Sequence, residues 1–359
     1  MNIWDKKSEE FLYSYLNNIA PTGKETSGQR IWIDYIKPYT DTWDQDKYGS
    51  VYATINPGKE FSVVIEAHAD EISWFVNFIS EEGFISVIRN GGSDHIIATS
   101  KWVNIHTTQG IVKGVFGWPA IHVRKGKDAN LSPTLQNIFV DVGAKSKKEV
   151  LEMGIHVGNI ITFNDELGEL NGKWLAGRAL DNRIGGFAIA QVARKIHENK
   201  DKIPYTLHIV NAVQEEIGLR GAQMIAYKLR PDIAIVTDVC HDTTTPLYKP
   251  KRDGDKECGK GPVLTYAPAV HYNVLNKVIE VAESNDIPFQ RSASSRSTGT
   301  DTDAFAYSRD GIPSVLISLA LKYMHTTVEM AHRDDIENLV ELMYQSVKAI
   351  TPDMKLTYL

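Results

Sequence analysis

The chain has 359 residues, 42% hydrophobic and 23% charged, with a formal net charge of −6. That length accommodates one large α/β domain and a smaller one around well-buried cores, while the mildly acidic balance leaves no basic face for nucleic acid. No stretch approaches the ~18 apolar residues of a membrane-spanning helix.

The first ten residues carry charges where a signal peptide needs an apolar run. Cys240 and Cys258 are too few for a disulfide framework. Both features predict a soluble protein of the reducing cytoplasm. Phe11, Leu12, Tyr15 and Leu16 have helical spacing. The β-branched, apolar run 62–67 predicts a strand buried on both faces. From about residue 71 to 163 the texture changes. Short strand-like segments at 72–79, 84–88, 102–106, 111–116 and 138–142 are punctuated by Gly83, Gly91, Gly92, Gly110 and Gly117. They predict a small β-rich, barrel-like domain inserted at 71–163, with one short helix at 146–153. The insert is expected to mediate self-association, since a β-rich module has strand edges to pair or cover. Residues 1–70 and 164–359 then form the catalytic domain. There Ile189, Val192, Ala193 and Ile196 make one helical stripe. Ile336, Leu339, Val340, Met343, Val347 and Ile350 make another, opened by the candidate caps Asp334 and Asp335. Buried strands are expected at 206–213, 233–237 and 314–319, and the basic patch 249–252 reads as a solvated loop. Strands alternating with helices predict the α/β class, as a mixed-sheet α/β/α sandwich.

The strand ends carry the chemistry. The run 62–67 delivers His68-Ala69-Asp70-Glu71, 206–213 delivers Gln214-Glu215-Glu216, 233–237 delivers Asp238, and 314–319 is followed by Tyr323-Met324-His325. Open α/β sheets bind ligands outside the carboxyl ends of their strands. Four strands that each place a His or carboxylate there point to a metal site. Taken singly, each signal is weak. A His-x-Asp is usually a turn pair, two acids can open a helix in favour of its dipole, Asp181 reads as a helix N-cap, and His325 as a loop histidine. His68 and Asp70 lie two apart in extended chain and face one way, so Asp70 can fix the His68 tautomer. Two adjacent carboxylates after a buried strand call for positive compensation. A metal supplies it, one carboxylate ligating while its neighbour stays free as a base.

In order along the chain, His68-Ala69-Asp70-Glu71, Ala179-Leu180-Asp181-Asn182-Arg183, the run 214–222, Thr237-Asp238-Val239 and Tyr323-Met324-His325 resemble the motifs of the glutamyl, deblocking and tetrahedral aminopeptidase family. Some members of that family carry the label endoglucanase M. The resemblance extends from Pro21-Thr22-Gly23 to the helix after Asp335. It implies two divalent metal ions, zinc or cobalt, bridged by Asp181. His68 and Asp238 match the ligands of one ion, and Glu216 and His325 those of the other. Glu215 matches the general base, and Asp70 the carboxylate behind His68. The resemblance also implies that the insert is a dimerisation domain, in homo-oligomers built from dimers that extend to hollow tetrahedral dodecamers. Where the family commonly has Pro and Arg before its last metal-binding His, this chain has Ala320 and Lys322. Lysine lacks the planar fork of arginine, which bears on substrate or assembly contacts more than on the metal site. The segment 117–122 also follows the family pattern only loosely.

The expected reaction is hydrolysis of the N-terminal residue of a peptide by a water that two metals activate, with Glu215 moving the proton. Substrate-pocket residues are expected from loops 248–261 and 290–302. A related di-metal carboxypeptidase or deacylase is the nearest alternative. Those families usually insert their second domain between the third ligand and the last His, whereas here the long gap of about 110 residues separates Asp70 from Asp181. An endoglucanase is disfavoured, because glycoside hydrolysis needs two carboxyl groups roughly 5 to 9.5 Å apart and Glu215 and Glu216 are neighbours.

Overall fold

In the computed structural model, which describes residues 2–126 and 130–359, the chain opens with helices α1 (Lys6–Asn17) and α2 (Thr26–Ile36). Strands β1 (Thr42–Gln45), β2 (Val51–Ile55) and β3 (Ser62–His68) follow. Next come β4 (Ser73–Ile79), β5 (Ile85–Asn90), α3 (His95–Ala98), β6 (Trp102–Thr107), β7 (Gly110–Gly117), β8 (Phe139–Asp141), α4 (Lys147–Glu152) and β9 (Ile160–Phe163). The remainder runs β10 (Gly168–Leu170), β11 (Trp174–Gly177), α5 (Leu180–Asn199), β12 (Thr206–Ala212), α6 (Arg220–Leu229) and β13 (Ile233–His241). It ends α7 (Pro250–Asp253), β14 (Val263–Tyr266), α8 (Tyr272–Ser284), β15 (Gln290–Ala293), α9 (Asp301–Ala306), β16 (Ser314–Leu321), β17 (Glu329–His332) and α10 (Arg333–Ala349). The chain divides into two compact units, one of Met1–Glu71, Leu167–Met324 and Val328–Leu359, the other of Ile72–Glu166 and His325–Thr327.

Among the described residues, the first unit holds an eight-stranded sheet in the order β1-β2-β12-β3-β13-β16-β14-β15. The central strands β12, β3, β13 and β16 run parallel to one another, and the flanking pairs β2–β12 and β14–β16 are antiparallel. The central strands are the apolar runs that the sequence picks out, and nearly every residue in them is buried, as a sheet covered on both faces requires. Helix α5 packs on β3, β12 and β13 beside α1, α2 and α10, while α6 and α9 pack on each other and reach β12, β13 and β16. The fold is therefore the expected α/β sandwich on a mixed sheet.

Two local expectations change. Helix α10 is capped by His332, whose ring accepts a hydrogen bond from Asp334 N (3.3 Å). Asp335 is buried and instead accepts from Gly259 N and Gly261 N, at 2.5 and 2.7 Å. The patch 249–252 enters the short exposed helix α7, which Pro250 starts at its first turn.

The second unit is a closed antiparallel barrel in the order β4-β5-β8-β7-β6-β9. Its own core is built from Trp74, Val76, Ile105, Phe116, Val140 and Ile161, with the Trp74 and Phe116 rings edge to face at 5.6 Å. Among the described residues, its six strands close on one another. Phe78, Ile88, Trp102 and Ile111 are exposed on it.

Candidate active site

Parallel strands bring their carboxyl ends to one side of the sheet, and the first unit collects its polar residues there. His68 ends β3, Asp238 lies near the end of β13, and Glu215 and Glu216 follow β12 by a turn. Non-glycine residues in the left-handed region occur in the segments of this unit that carry these groups: Ala179 (φ 58°), Gln214 (φ 58°), Leu219 (φ 63°) and Tyr323 (φ 59°). Such strain persists only where the surroundings enforce it, and it collects at functional sites. Gly221 shows the enforcement. Its N–H donates to Val213 O (2.9 Å), and a Cβ at Gly221 would fall 2.2 Å from that oxygen. Only glycine lets the chain close the turn that presents Glu215 and Glu216.

His68 is the centre of the cluster. Its Nε2 lies 3.2 Å from Asp181 Oδ1, 3.8 Å from Asp238 Oδ1 and 3.9 Å from Glu215 Oε2, and its Nδ1 lies 3.4 Å from Asp70 Oδ1. Asp70 is fully buried and held by three donors, Thr22 Oγ1 (2.9 Å), Glu215 N (3.0 Å) and Glu216 N (3.2 Å). It therefore fastens the β12 turn to the end of β3 while facing the imidazole. Asp181 does not cap a helix. The cap position of α5 is Ala179, and Asp181 and Asn182 have non-helical backbone joined by a cis peptide. Asp181 N donates to Glu329 Oε2 (3.1 Å), and Asn182 Nδ2 donates to Thr237 O (2.7 Å).

His68, Asp181 and Asp238 offer ligand atoms that all lie within 4.8 Å of one another, and so do His68, Glu215 and Glu216. His325, four residues beyond β16, groups with the second unit, where the backbone of Gly92 packs against its ring; a Cβ at Gly92 would come within 2.7 Å of Nδ1.

Crowding of buried acids leaves its mark on their titration. Burial, with Asp238, Asp301 and Glu216 nearby, pushes Glu215 up to about 10 against the pull of His68. Burial and Asp181 push Asp238 up to about 7. Burial opposes a charged His68, yet Asp181, Asp70, Glu215 and Asp238 hold its pKa well above the usual value. A single imidazolium cannot offset so many carboxylates in low dielectric. The donor set of histidine and carboxylate, its ligand atoms within 4.8 Å of one another, fits divalent cations.

Several contributors escape the sequence motifs. Glu66 precedes His68 by two in β3 and so shares its face; together with Asp301, at the start of α9, it is buried and finds no N–H or O–H donor. Burial pushes Glu66 up to about 8, and burial with Glu66 nearby pushes Asp301 well above the usual range. Glu25, also buried and close to Asp70, is pushed up to about 8. The strand alternation could have found Glu66; nothing local marks Asp301 or Glu329. Ala320 sits within β16, its carbonyl accepting from Cys258 Sγ (3.2 Å), and Lys322 Nζ stands 4.8 Å from the centre of the Trp174 ring. Residues 290–293 form the strand β15 rather than a loop.

A sequence model of the M42 glutamyl aminopeptidases matches residues 49–342. The lysyl aminopeptidase of Pyrococcus furiosus is 32% identical over 96% of this chain and 97% of its own length. Among solved structures, the TET aminopeptidase of a marine-sediment Thaumarchaeota archaeon superposes with a TM-score of 0.92 at 30% identity, covering 98% of this chain and 99% of that one. The Pyrococcus horikoshii TET1 peptidase, whose chains can assemble into a tetrahedron or a large octahedral shell, superposes with a TM-score of 0.79 at 28% identity, over 94% and 98%. With its motifs, fold and buried acid cluster in agreement, the chain belongs to the M42 glutamyl aminopeptidase family and is a metallo-aminopeptidase.

Proposed function

We propose that the chain removes the N-terminal residue from peptides in the cytoplasm, using two divalent cations, zinc or cobalt. His68 and Asp238 would hold one, Glu216 and His325 the other, and Asp181 both. The observation that carries this reading is the buried set of His68, Asp181 and Asp238 beside Glu215 and Glu216, an acid cluster whose charge calls for dications. When bound, such ions supply the positive charge that polarises a peptide carbonyl and acidifies a water.

The chain's own residues do the rest. With dications bound beside it to favour its ionised form, Glu215, half-buried, would take the proton of the attacking water on its carboxylate and deliver it to the leaving amine nitrogen. Asp70, immobilised by three donors, holds the His68 ring in one orientation. The ammonium group of the substrate docks against the acidic rim, which restricts cleavage to the first residue. Self-association of the chain, as dimers or larger shells, accords with the assembly of the Pyrococcus horikoshii relative.

The amino end decides the matter. A short peptide should be trimmed stepwise. Its N-acetylated form should react slower by several orders of magnitude, since the buried acceptors lose their cationic partner. Release of the first residue is followed by mass spectrometry. Equal rates on both forms would overturn the assignment, removal of the acetyl group would make the protein a deacylase, and a glycosidase would cleave neither.

A further inference from the structure

Beyond the residues that resemble ligands or base, a buried ion-pair cluster joins the segments on which they stand. We propose that Glu71 and Arg178, with Arg183, are positioning residues: a clasp that sets the segment of His68 and Asp70 against the segment of Asp181. The proposal rests on the reading of those segments as the metal-bearing ones.

Glu71 directly follows Asp70. Its Oε1 accepts from Ala20 N (2.7 Å), its Oε2 pairs with Arg178 Nη1, and Arg183 Nη1 lies 3.6 Å from Oε1. Its main chain is bound on both sides, Glu71 N donating to Ala20 O (2.9 Å) and Thr22 N to Glu71 O (3.1 Å). The two arginines bracket Asp181, three residues before and two after. Arg178 Nη2 donates to Asn17 O and Asn18 O, each at 3.2 Å. Arg183 Nη1 donates to Asn18 O (2.5 Å), Nη2 donates to Tyr15 O, and the guanidinium lies 4.6 Å from the centre of the Tyr15 ring. These carbonyls belong to the carboxyl end of α1, where the last turn lacks internal donors and its dipole favours cations. Helix α1 has no basic residue of its own in that turn; the arginines arrive from the segment around Asp181.

One carboxylate, two guanidiniums and a helix end thus form a closed unit, with Glu71, Arg178 and Arg183 only 3%, 7% and 0% exposed. Removing one member of a buried pair strands the other's charge. The damage therefore passes from either segment to the other, which a set of independent local contacts would not do. Arginine is required because its planar fork serves Glu71 and two carbonyls at once; lysine carries the charge without the fork.

The test uses the full chain, freed of metal, with Glu71→Gln, Arg178→Met and Arg178→Lys. Arg194→Met is the control, since it breaks a part-buried pair with Asp5 at the other end of α1. Amide hydrogen exchange should accelerate at least tenfold in both 68–71 and 178–183 for Glu71→Gln and for Arg178→Met, and less for Arg178→Lys. Arg194→Met should leave both segments unchanged. Acceleration confined to the substituted residue's own segment, or matched by the control, would overturn the clasp. In a second arm, cobalt titration of the folded variants should show an apparent Kd raised at least tenfold and a shifted visible absorption band. Unchanged affinity and spectrum would also overturn it. If the unsubstituted chain bound no cobalt, the metal reading would fail and the exchange arm alone would decide the clasp. Should Arg178→Met not fold, Arg178→Lys carries both arms.

Discussion

The two units spend their strands differently. In the eight-stranded sheet the four central strands run parallel, so four carboxyl ends arrive on one side, bringing His68, Glu215 and Asp238 together. In the barrel every pairing is antiparallel, so successive ends alternate between two rims and nothing accumulates. Their buried polar groups differ to match. Barrel residues pair off locally, His106 Nε2 with Thr162 Oγ1 at 2.9 Å and Asn90 Nδ2 with Ser73 Oγ at 2.8 Å. The first unit gathers like charges around His68 and leaves the oxygens of Glu66 and Asp301 without donors. Direction of the strands, more than their composition, decides which unit is prepared for chemistry.

Glu215→Gln is the largest way to break that contrast. With the ligands intact, kcat should fall roughly 10²- to 10⁴-fold, the usual share of a general base, while metal content stays near that of the parent. Glu216→Gln should instead lower metal occupancy. Metal analysis beside steady-state kinetics would show the opposite pattern if the two neighbours had exchanged roles.

On the barrel side the expected effect is on mass rather than rate. Light scattering at micromolar concentration should give a mass well above 40.2 kDa. Phe78→Glu or Trp102→Glu, each placing a charge on an exposed apolar position, should lower it with circular dichroism unchanged. A parent chain that is strictly monomeric removes this role from the barrel.

The smallest effect lies within the sheet, away from the site. His208 on β12 bonds Thr54 Oγ1 through Nδ1 (3.0 Å), and burial pushes its pKa down from 6.5 to about 4. The unfolded chain therefore takes up a proton that the folded one refuses. The resulting stability is fully present above pH 6.5 and lost as pH falls towards 4, by at most ~1.4 kcal/mol per pH unit. Urea melts of the parent and His208→Gln at pH 7 and pH 5 test this. A constant difference between the two proteins would show that His208 does not titrate as stated.

Much of this was legible in one dimension because the central strands are apolar runs that end abruptly in acids and histidine. His68 and Asp70 obeyed the two-residue alternation of extended chain, and Asp70 does face the imidazole. The outer strands were harder. All four residues of β1 are exposed, so no buried run announces it, and β15 alternates within a segment that reads as loop. Asp181 looked like a cap because the residues after it form a helix, and only the left-handed Ala179 and the extended backbone at Asp181 reveal otherwise. Glu329 and Asp301 act through partners far away in sequence, and no local pattern encodes a distant partner.

That distance has a consequence in time. The bond from Asp181 to Glu329 spans 148 residues, the bond from Glu215 to Asp70 spans 145, and His68 meets Asp181 across 113. A ribosome adding ~5–20 residues per second has long finished β3 before the last of these partners exists. A growing chain that stops short of β16 and Glu329 lacks a central strand of the sheet and the partner of Asp181 N, so the cluster is complete only when synthesis is nearly over.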